Sequence, residues 1–366
     1  MFEGGQGDHD THPLGPSIWA VSDGRAGNAA QVRSVVQALG EPRRWMRMAH
    51  IAGQAHRDTP ITLTPGKPWT ALPSSLWLNP KGALPDVERA ILTPPWPTLW
   101  VGAGRRTAPF SAAVRKWSKG ATYVVHILDP KMSPGRFDLI VTPVHDGVNK
   151  RRVISTVGSP THFSQDDQEE AASHFAHLAD EQGQTAVVIL GGDSKAHTFT
   201  DEDATRLLDQ LAALSSEGWT LRITTSRRTP DAVVQRVRAF ADRVGADLWT
   251  GTDDGPNPYL AWLLFSDVAI VTSDSANMLS DAAYHALPVH IARLTGGSPK
   301  FTSFHQSLID RGCARWFNGT LARWTYEPLR EADRVADRII ADILKRYPQP
   351  AMADILGDSV VAPSWL

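Results

Sequence analysis

Short apolar runs that stop abruptly at small polar or glycine loops, each followed by a stretch of helical periodicity, most constrain what this chain can become. The pattern opens at Ser17-Ile-Trp-Ala-Val-Ser22, passes through Asp23-Gly-Arg-Ala-Gly-Asn28, and continues into a segment with Val32, Val35, Val36 and Leu39 at helical spacing. It returns at Thr185-Ala-Val-Val-Ile-Leu190, with the loop Gly191-Gly192-Asp193-Ser194-Lys195, and then a helix capped by Thr200-Asp-Glu-Asp203 and carrying Leu207, Leu208, Leu211 and Leu214. Further strands are expected at 98–102, 122–127, 138–142, 219–224, 267–272 and 288–292. Helices are expected at 109–117, from Ser164 to about Glu181, from Thr229-Pro230 to about Val244, from Asn257-Pro258, and at 277–285 and 329–344. Strands alternating with helices predict parallel sheets covered on both faces. A device that appears twice predicts two doubly wound, Rossmann-like domains of the α/β class with a cleft between them. Ligands of such sheets bind outside the carboxyl ends of the strands.

The reading divides the chain into a disordered leader (1–16), a first domain (17–160), a linker helix (161–182), a second domain (183–326) and a C-terminal helix and tail (327–366). Prolines crowd residues 41–97, where element assignment is weak, and Trp69, Trp77 and Trp96 of that stretch are candidates for exposure. Lys+Arg 37 against Asp+Glu 39 leaves a net charge of −2, without the cationic excess by which proteins grip a nucleic-acid backbone. The single cysteine, Cys313, excludes an internal disulfide framework and a cysteine-rich zinc site. The longest apolar runs fall short of the ~20 residues needed to cross a bilayer. The expectation is a cytoplasmic protein.

The loops carry the candidate chemistry. Gly191, Gly192, Ser194 and Lys195 follow a strand and precede a helix, which suits an anion or a plain tight turn. In Val271-Thr-Ser-Asp-Ser-Ala-Asn-Met-Leu-Ser-Asp281 the polar residues outnumber what one helix cap needs, and Asn277 and Asp281 share a helix face. That excess suits a pyrophosphate and a ribose diol, or an elaborate cap. Arg105 and Arg106, and the run Thr225-Ser226-Arg227-Arg228 in the second half, bring cations to strand ends. His145-Asp146 is an acid/base candidate at another. No His-Glu-x-x-His metal spacing and no Gly-x-Ser-x-Gly elbow occurs.

Taken together, several pieces resemble the bacterial and plant elongated-mitochondria family, named for mitochondrial fission. They are Trp19-Ala-Val-Ser-Asp-Gly-Arg-Ala-Gly-Asn28 with Gln31, Pro95-Trp-Pro97, Gly102-Ala-Gly-Arg-Arg-Thr-Ala-Pro109, Asp129-Pro130, Phe137-Asp138, Pro143-Val-His-Asp146, Ser273-Asp-Ser-Ala-Asn-Met278, and Gly296-Gly-Ser-Pro-Lys-Phe301 with Phe304-His305. The second half is also similar to the donor domain of GT-B glycosyltransferases such as the peptidoglycan N-acetylglucosaminyltransferase. In this sequence Asp281 stands where those enzymes carry a ribose-binding Glu, and Ala286 where Gly is usual.

The resemblance implies a GT-B fold and inverting, metal-independent transfer of a sugar from a nucleotide-sugar co-substrate, without a further cofactor. The acceptor would be a sugar, a lipid-linked molecule or a protein. Gly191, Gly192, Ser194, Lys195, Thr225, Arg227, Ser275 and Asn277 would hold the donor, with Asp281 at its ribose. Gly24, Asn28, Arg105 and Arg106 would form the acceptor or phosphate rim, and the base would be Asp23, His145 or Asp146. The family name implies an alternative, a non-catalytic adaptor with peripheral contact to the inner membrane.

Overall fold

The computed structural model describes residues 18–44, 61–144 and 152–346. The first sheet is built from β1 (Ile18–Ser22), β2 (Ile61–Thr62), β3 (Leu99–Ala103), β4 (Tyr123–Ile127), β5 (Leu139–Pro143) and β6 (Val153–Thr156), with α1 (Ala26–Gly40), α2 (Asp86–Ile91) and α3 (Ala108–Trp117) between them. Its order is β2-β1-β3-β4-β5-β6, parallel throughout. A crossover containing α4 (Gln165–His174) leads to the second half.

There the chain forms β7 (Gln184–Leu190), β8 (His197–Thr198), α5 (Asp201–Ser216), β9 (Trp219–Thr225), α6 (Asp231–Val244), β10 (Asp247–Trp249), α7 (Tyr259–Leu264), β11 (Val268–Thr272) and α8 (Ala276–Tyr284). It continues through β12 (Val289–Ala292), β13 (Thr295–Gly296), α9 (Pro299–Asp310), β14 (Ala314–Trp316) and α10 (Glu331–Arg346). The second sheet runs β10-β9-β7-β11-β12-β14, again parallel, and β8 pairs antiparallel with β13 as a small flap. Two doubly wound α/β domains therefore face one another.

Strand side chains alternate between two cores in each domain, because successive residues point to opposite faces. In the first sheet Leu99, Val101, Val125 and Ile127 face the core shared with α1, while Trp100, Val124 and Ile140 face the core under α3 and the proline-rich segment. In the second, Val187, Ile189 and Val271 oppose Ala186, Val188 and Ile270 in the same way. Burial on both faces is why these strands read as continuous apolar runs.

Three expectations are corrected. The crossover is α-helical only over Gln165–His174, followed by a 3-10 turn at Ala176–Ala179, and not from 161 to 182. Thr229 does not cap α6; its hydroxyl donates to the carbonyl of Gly191 at 2.5 Å, and Pro230 takes the cap position. Trp77 is buried, with an edge contact to Phe110, and Trp69 and Trp96 are half-buried.

The last helix crosses back to the first domain. Val335, Ile339, Ile340 and Ile343 of α10 pack with Val32, Val35 and Leu39 of α1 over the first sheet, and the Tyr123 hydroxyl donates to Asp342 at 2.8 Å. Truncating Ile339, fully buried there, leaves a cavity, so Ile339→Ala is expected to cost about 2–5 kcal/mol in urea unfolding.

At the other end of the scale stands Ala286, just past the end of α8 with φ +59°. A Cβ is strained in that conformation and glycine is not, so Ala286→Gly is expected to raise the melting temperature, by about 0.5–1 kcal/mol of added stability.

Candidate functional site

Each sheet has a point where strand order reverses: between β1 and β3 in the first, and between β7 and β11 in the second. The loops leaving those four strands are 23–25, 104–107, 191–196 and 273–275, and their carboxyl-end position is where a doubly wound sheet offers a ligand crevice. The two crevices are held against each other. Asn277, in the first turn of α8, accepts from Gln31 Nε2 at 3.1 Å and donates to the Gly27 carbonyl at 3.4 Å, so the N-terminal turns of α1 and α8 meet. A Cβ on Gly27 would approach Asn277 Nδ2 to 3.1 Å, so the close approach suits a glycine there.

On the first domain's side the centre is Asp23. Its side chain is fully buried, and Oδ1 accepts from Asn28 Nδ2 at 2.8 Å. Oδ2 has no hydrogen-bond partner among the described residues; Arg25 Nε lies 3.8 Å away on a side chain that is largely exposed. Gly104 (φ +93°) closes over this pair, and a Cβ there would come within 2.4 Å of Asn28 Nδ2. Asn28 thus aims the carboxylate. Gly24, at φ +77°, makes the turn that follows β1, and Arg105 and Arg106 are exposed beside Gly104.

On the other side Gly191 and Gly192 are buried against Asp274, whose carboxylate is fully buried. Asp274 accepts from Thr272 Oγ1 (2.7 Å), from the Gly192 amide (3.0 Å) and from Arg228 Nη2 (2.7 Å). A Cβ on Gly191 would fall 2.1 Å from Asp274 Oδ1, and one on Gly192 would fall 2.0 Å from the Arg228 carbonyl. The glycine pair is therefore required by the chain's own close packing. Arg228 is half-exposed at the rim, where Ser194, Lys195 and Arg227 are exposed; Thr225 is buried at the end of β9. Ser275 caps α8, accepting from the Met278 amide. Beneath them the His305 Nε2–H donates to the Ser273 carbonyl at 2.8 Å, and burial holds that imidazole's pKa down to about 4.

Asp281 is placed elsewhere. Its oxygens accept from the hydroxyls of Thr161 (3.0 Å) and Tyr259 (2.9 Å), while Ser280 Oγ accepts the Ser159 amide at 2.8 Å. The two residues fasten the crossover between the domains. Asp281 lines a separate cavity of about 580 Å³ walled by α1, residues 161–175 and the start of α7, and no residue of the loops after β1, β3 or β7 lines it. The structure therefore groups Asp23, Gly24, Asn28, Arg105 and Arg106 at one edge and Gly191, Gly192, Ser194, Lys195, Arg227 and Ser275 at the facing one. Asn277 sits in the seam between the domains, and Asp281 lies outside the group. His145 and Asp146 lie outside the described residues. Sequence reasoning named Arg228 only within the run Thr225-Ser226-Arg227-Arg228 and Gln31 only among the pieces of the family resemblance, and gave neither a role in binding. Of the adjacent Arg227 and Arg228, nothing local says which one meets a buried carboxylate.

The family model described as "Mitochondrial fission ELM1" matches residues 26–343. The chain belongs to that family. The mitochondrial fission protein ELM1 of Arabidopsis thaliana is 27% identical over 282 residues, 68% of this chain and 65% of that protein, so this chain spans less than two thirds of the plant relative's length. An uncharacterized protein (RP120) of Rickettsia prowazekii is 25% identical over 366 residues, 88% of this chain and 97% of that one. Among solved structures, the UDP-GlcNAc 2-epimerase of Methanocaldococcus jannaschii covers 90% of this chain and 100% of its own at 10% identity and a TM-score of 0.49. For this ELM1-family chain the topology itself defines the two facing domains.

Burial pushes the Asp281 pKa up to about 6, against the opposing pull of the Tyr259 and Thr161 hydroxyls. The folded state then binds more protons than the unfolded one between about pH 4 and 6, so the contribution of Asp281 to stability grows as pH falls through that window. Against an Asp281→Asn variant, the wild-type chain is expected to gain roughly 1–3 kcal/mol of relative stability between pH 7 and pH 4, read from urea unfolding at each pH. A difference that stays flat with pH contradicts the buried, ionisable anchor.

Proposed function

We propose that this chain transfers a sugar from a nucleotide-sugar donor to an acceptor hydroxyl, with the diphosphate on the second domain's rim and the acceptor on the first domain's. The reading rests on one juxtaposition above all. Asp23, a buried carboxylate with an oxygen lacking a partner among the described residues, is set at the first sheet's switch point, and the Gly191–Lys195 loop at the second's. In this proposal Asp23 takes the proton of the acceptor hydroxyl, and the oxygen attacks the anomeric carbon from the face opposite the phosphate. The bond to the phosphate oxygen breaks, and its electron pair leaves with the nucleoside diphosphate. Charge on that leaving group is met by Lys195, Arg227 and Arg228 and by the N–H groups at the start of α8, so turnover is expected to persist in a chelator. Asp281, which accepts from the Thr161 and Tyr259 hydroxyls away from these residues, has no part in this donor pose.

The second reading, a non-catalytic adaptor, draws on one feature of the second domain's edge. Asp274 already accepts the Gly192 amide and an Arg228 N–H, groups a diphosphate would use. Thermal shift against UDP-, GDP-, CMP- and ADP-sugars separates the two. A donor site near saturation is expected to stabilise the chain by roughly 2–3 kcal/mol, whereas an adaptor gives no shift with any of them. With a donor in hand, Asp23→Asn is expected to abolish transfer while leaving donor affinity within about twofold, because it sits across the cleft from the diphosphate. Arg228→Gln is expected to weaken donor binding roughly tenfold, as loss of a charge-assisted hydrogen bond would. If Asp23→Asn weakens binding as much as it slows turnover, Asp23 is a binding residue and not the base.

A further inference from the structure

The large apolar side chains left exposed among the described residues are Leu72, Leu76, Leu78, Val87 and Val144, all in the first domain, and four of them lie between residues 72 and 87. Leu78 is 96% exposed. It stands on the lip of a cavity of about 540 Å³ with apolar walls from Trp77, Pro80, Trp117 and Met132, and with Arg115, Lys116 and Arg136 around it. Beside these, Trp96 and Trp117 stack at 5.6 Å, and the Lys81 ammonium lies over both rings, 4.8 Å from that of Trp117. Leucines at the tip, aromatic rings behind them and cations at the margin form an amphipathic surface in which long cationic side chains lie along apolar ones.

Charge is segregated to match. Residues 61–144 hold ten Lys and Arg against four Asp and Glu, a net +6 in a chain whose total is −2, which leaves −8 for the remainder. A protein this close to neutral has no global reason to gather its cations on one domain. Lys116, Lys119, Lys131 and Arg136 are all exposed there.

We propose that this face docks on an anionic phospholipid bilayer, with Leu76 and Leu78 inserted among the headgroups and the surrounding cations paired with lipid phosphates. Each Lys or Arg near an anionic surface adds salt-sensitive attraction, and an inserted leucine adds its apolar burial. Exposed leucines ringed by cations fit this occupant better than they fit an extended polyanion, which offers no apolar layer to receive them. No helix among the described residues is long and apolar enough to cross a membrane. The Ser74 hydroxyl donates to the Arg105 carbonyl at 3.2 Å, tying the turn that bears Leu76 to the loop at the cleft edge. Docking therefore sets the first domain's rim at the bilayer, whether or not the cleft performs transfer.

The test is co-sedimentation of the full chain with phosphatidylcholine vesicles, with and without phosphatidylglycerol. Anionic vesicles are expected to bind at least about tenfold more tightly than neutral ones, and added salt to weaken that binding. The pair Leu76→Asp with Leu78→Asp, and the pair Lys116→Glu with Arg136→Glu, are each expected to lower vesicle affinity at least roughly tenfold. Because these side chains are exposed, the melting temperature should stay unchanged, which separates lost docking from lost folding. Equal binding to neutral and anionic vesicles, or indifference to both pairs, overturns the proposal. So does sedimentation velocity showing that the leucine pair breaks a dimer while vesicle binding survives, since the patch then belongs to a second copy of the chain.

Discussion

Everything at the candidate site depends on how the N-terminal turns of α1 and α8 are locked together. Asn277 bridges Gln31 and the Gly27 carbonyl, and just behind it Ser280 and Asp281 hold the backbone and side chain of the crossover at Ser159 and Thr161. These contacts carry no apolar bulk. They are directional, and they fix two separate sheets at one mutual angle. Because each helix begins at a strand's carboxyl end, fixing the helix starts fixes the loops that lie beside them. The return of α10 onto α1 closes the arrangement from the other side, so both ends of the described chain contribute to the first domain's core.

Within that frame the two edges use opposite devices. The first domain buries a carboxylate, Asp23, and leaves one oxygen without a hydrogen bond from any described residue. The second also buries a carboxylate, Asp274, but satisfies it with a hydroxyl, an amide and a guanidinium. An unsatisfied buried acceptor is costly unless something uses it, whereas a satisfied one organises its surroundings. Asp274 orders the glycine loop and presents Arg228 at the rim. Asp23 is the group with chemistry in reserve.

Most central strands were legible because a strand buried on both faces is largely apolar, as β1, β3, β4, β5, β7, β11 and β12 are; β9, with Thr220, Arg222, Thr224 and Thr225 among its seven residues, is the exception. Of the strands that escaped notice, β8 and β13 make the small flap, and β2, β6, β10 and β14 are the four edges of the two sheets. Each is only two to four residues long and partly exposed, so no apolar run marks it. The proline-rich stretch concealed three 3-10 turns for a similar reason: turns of three or four residues have no period to read.

What the sequence determined by itself was the two-domain α/β class, the doubled strand-loop-helix device and the loops in which polar chemistry would gather, because burial and glycine geometry act on neighbours in the chain. Which of those polar residues meet was decided only by the tertiary structure. Asn277 and Asp281 share a helix face, as their spacing requires, yet one joins the domain seam and the other a cavity behind it. Arg228, adjacent to Arg227, alone reaches Asp274. Spacing along a chain orients side chains on one element, but partners on other elements depend on how far apart two sheets are set and at what angle. Here a few hydrogen bonds between residues more than a hundred positions apart set both.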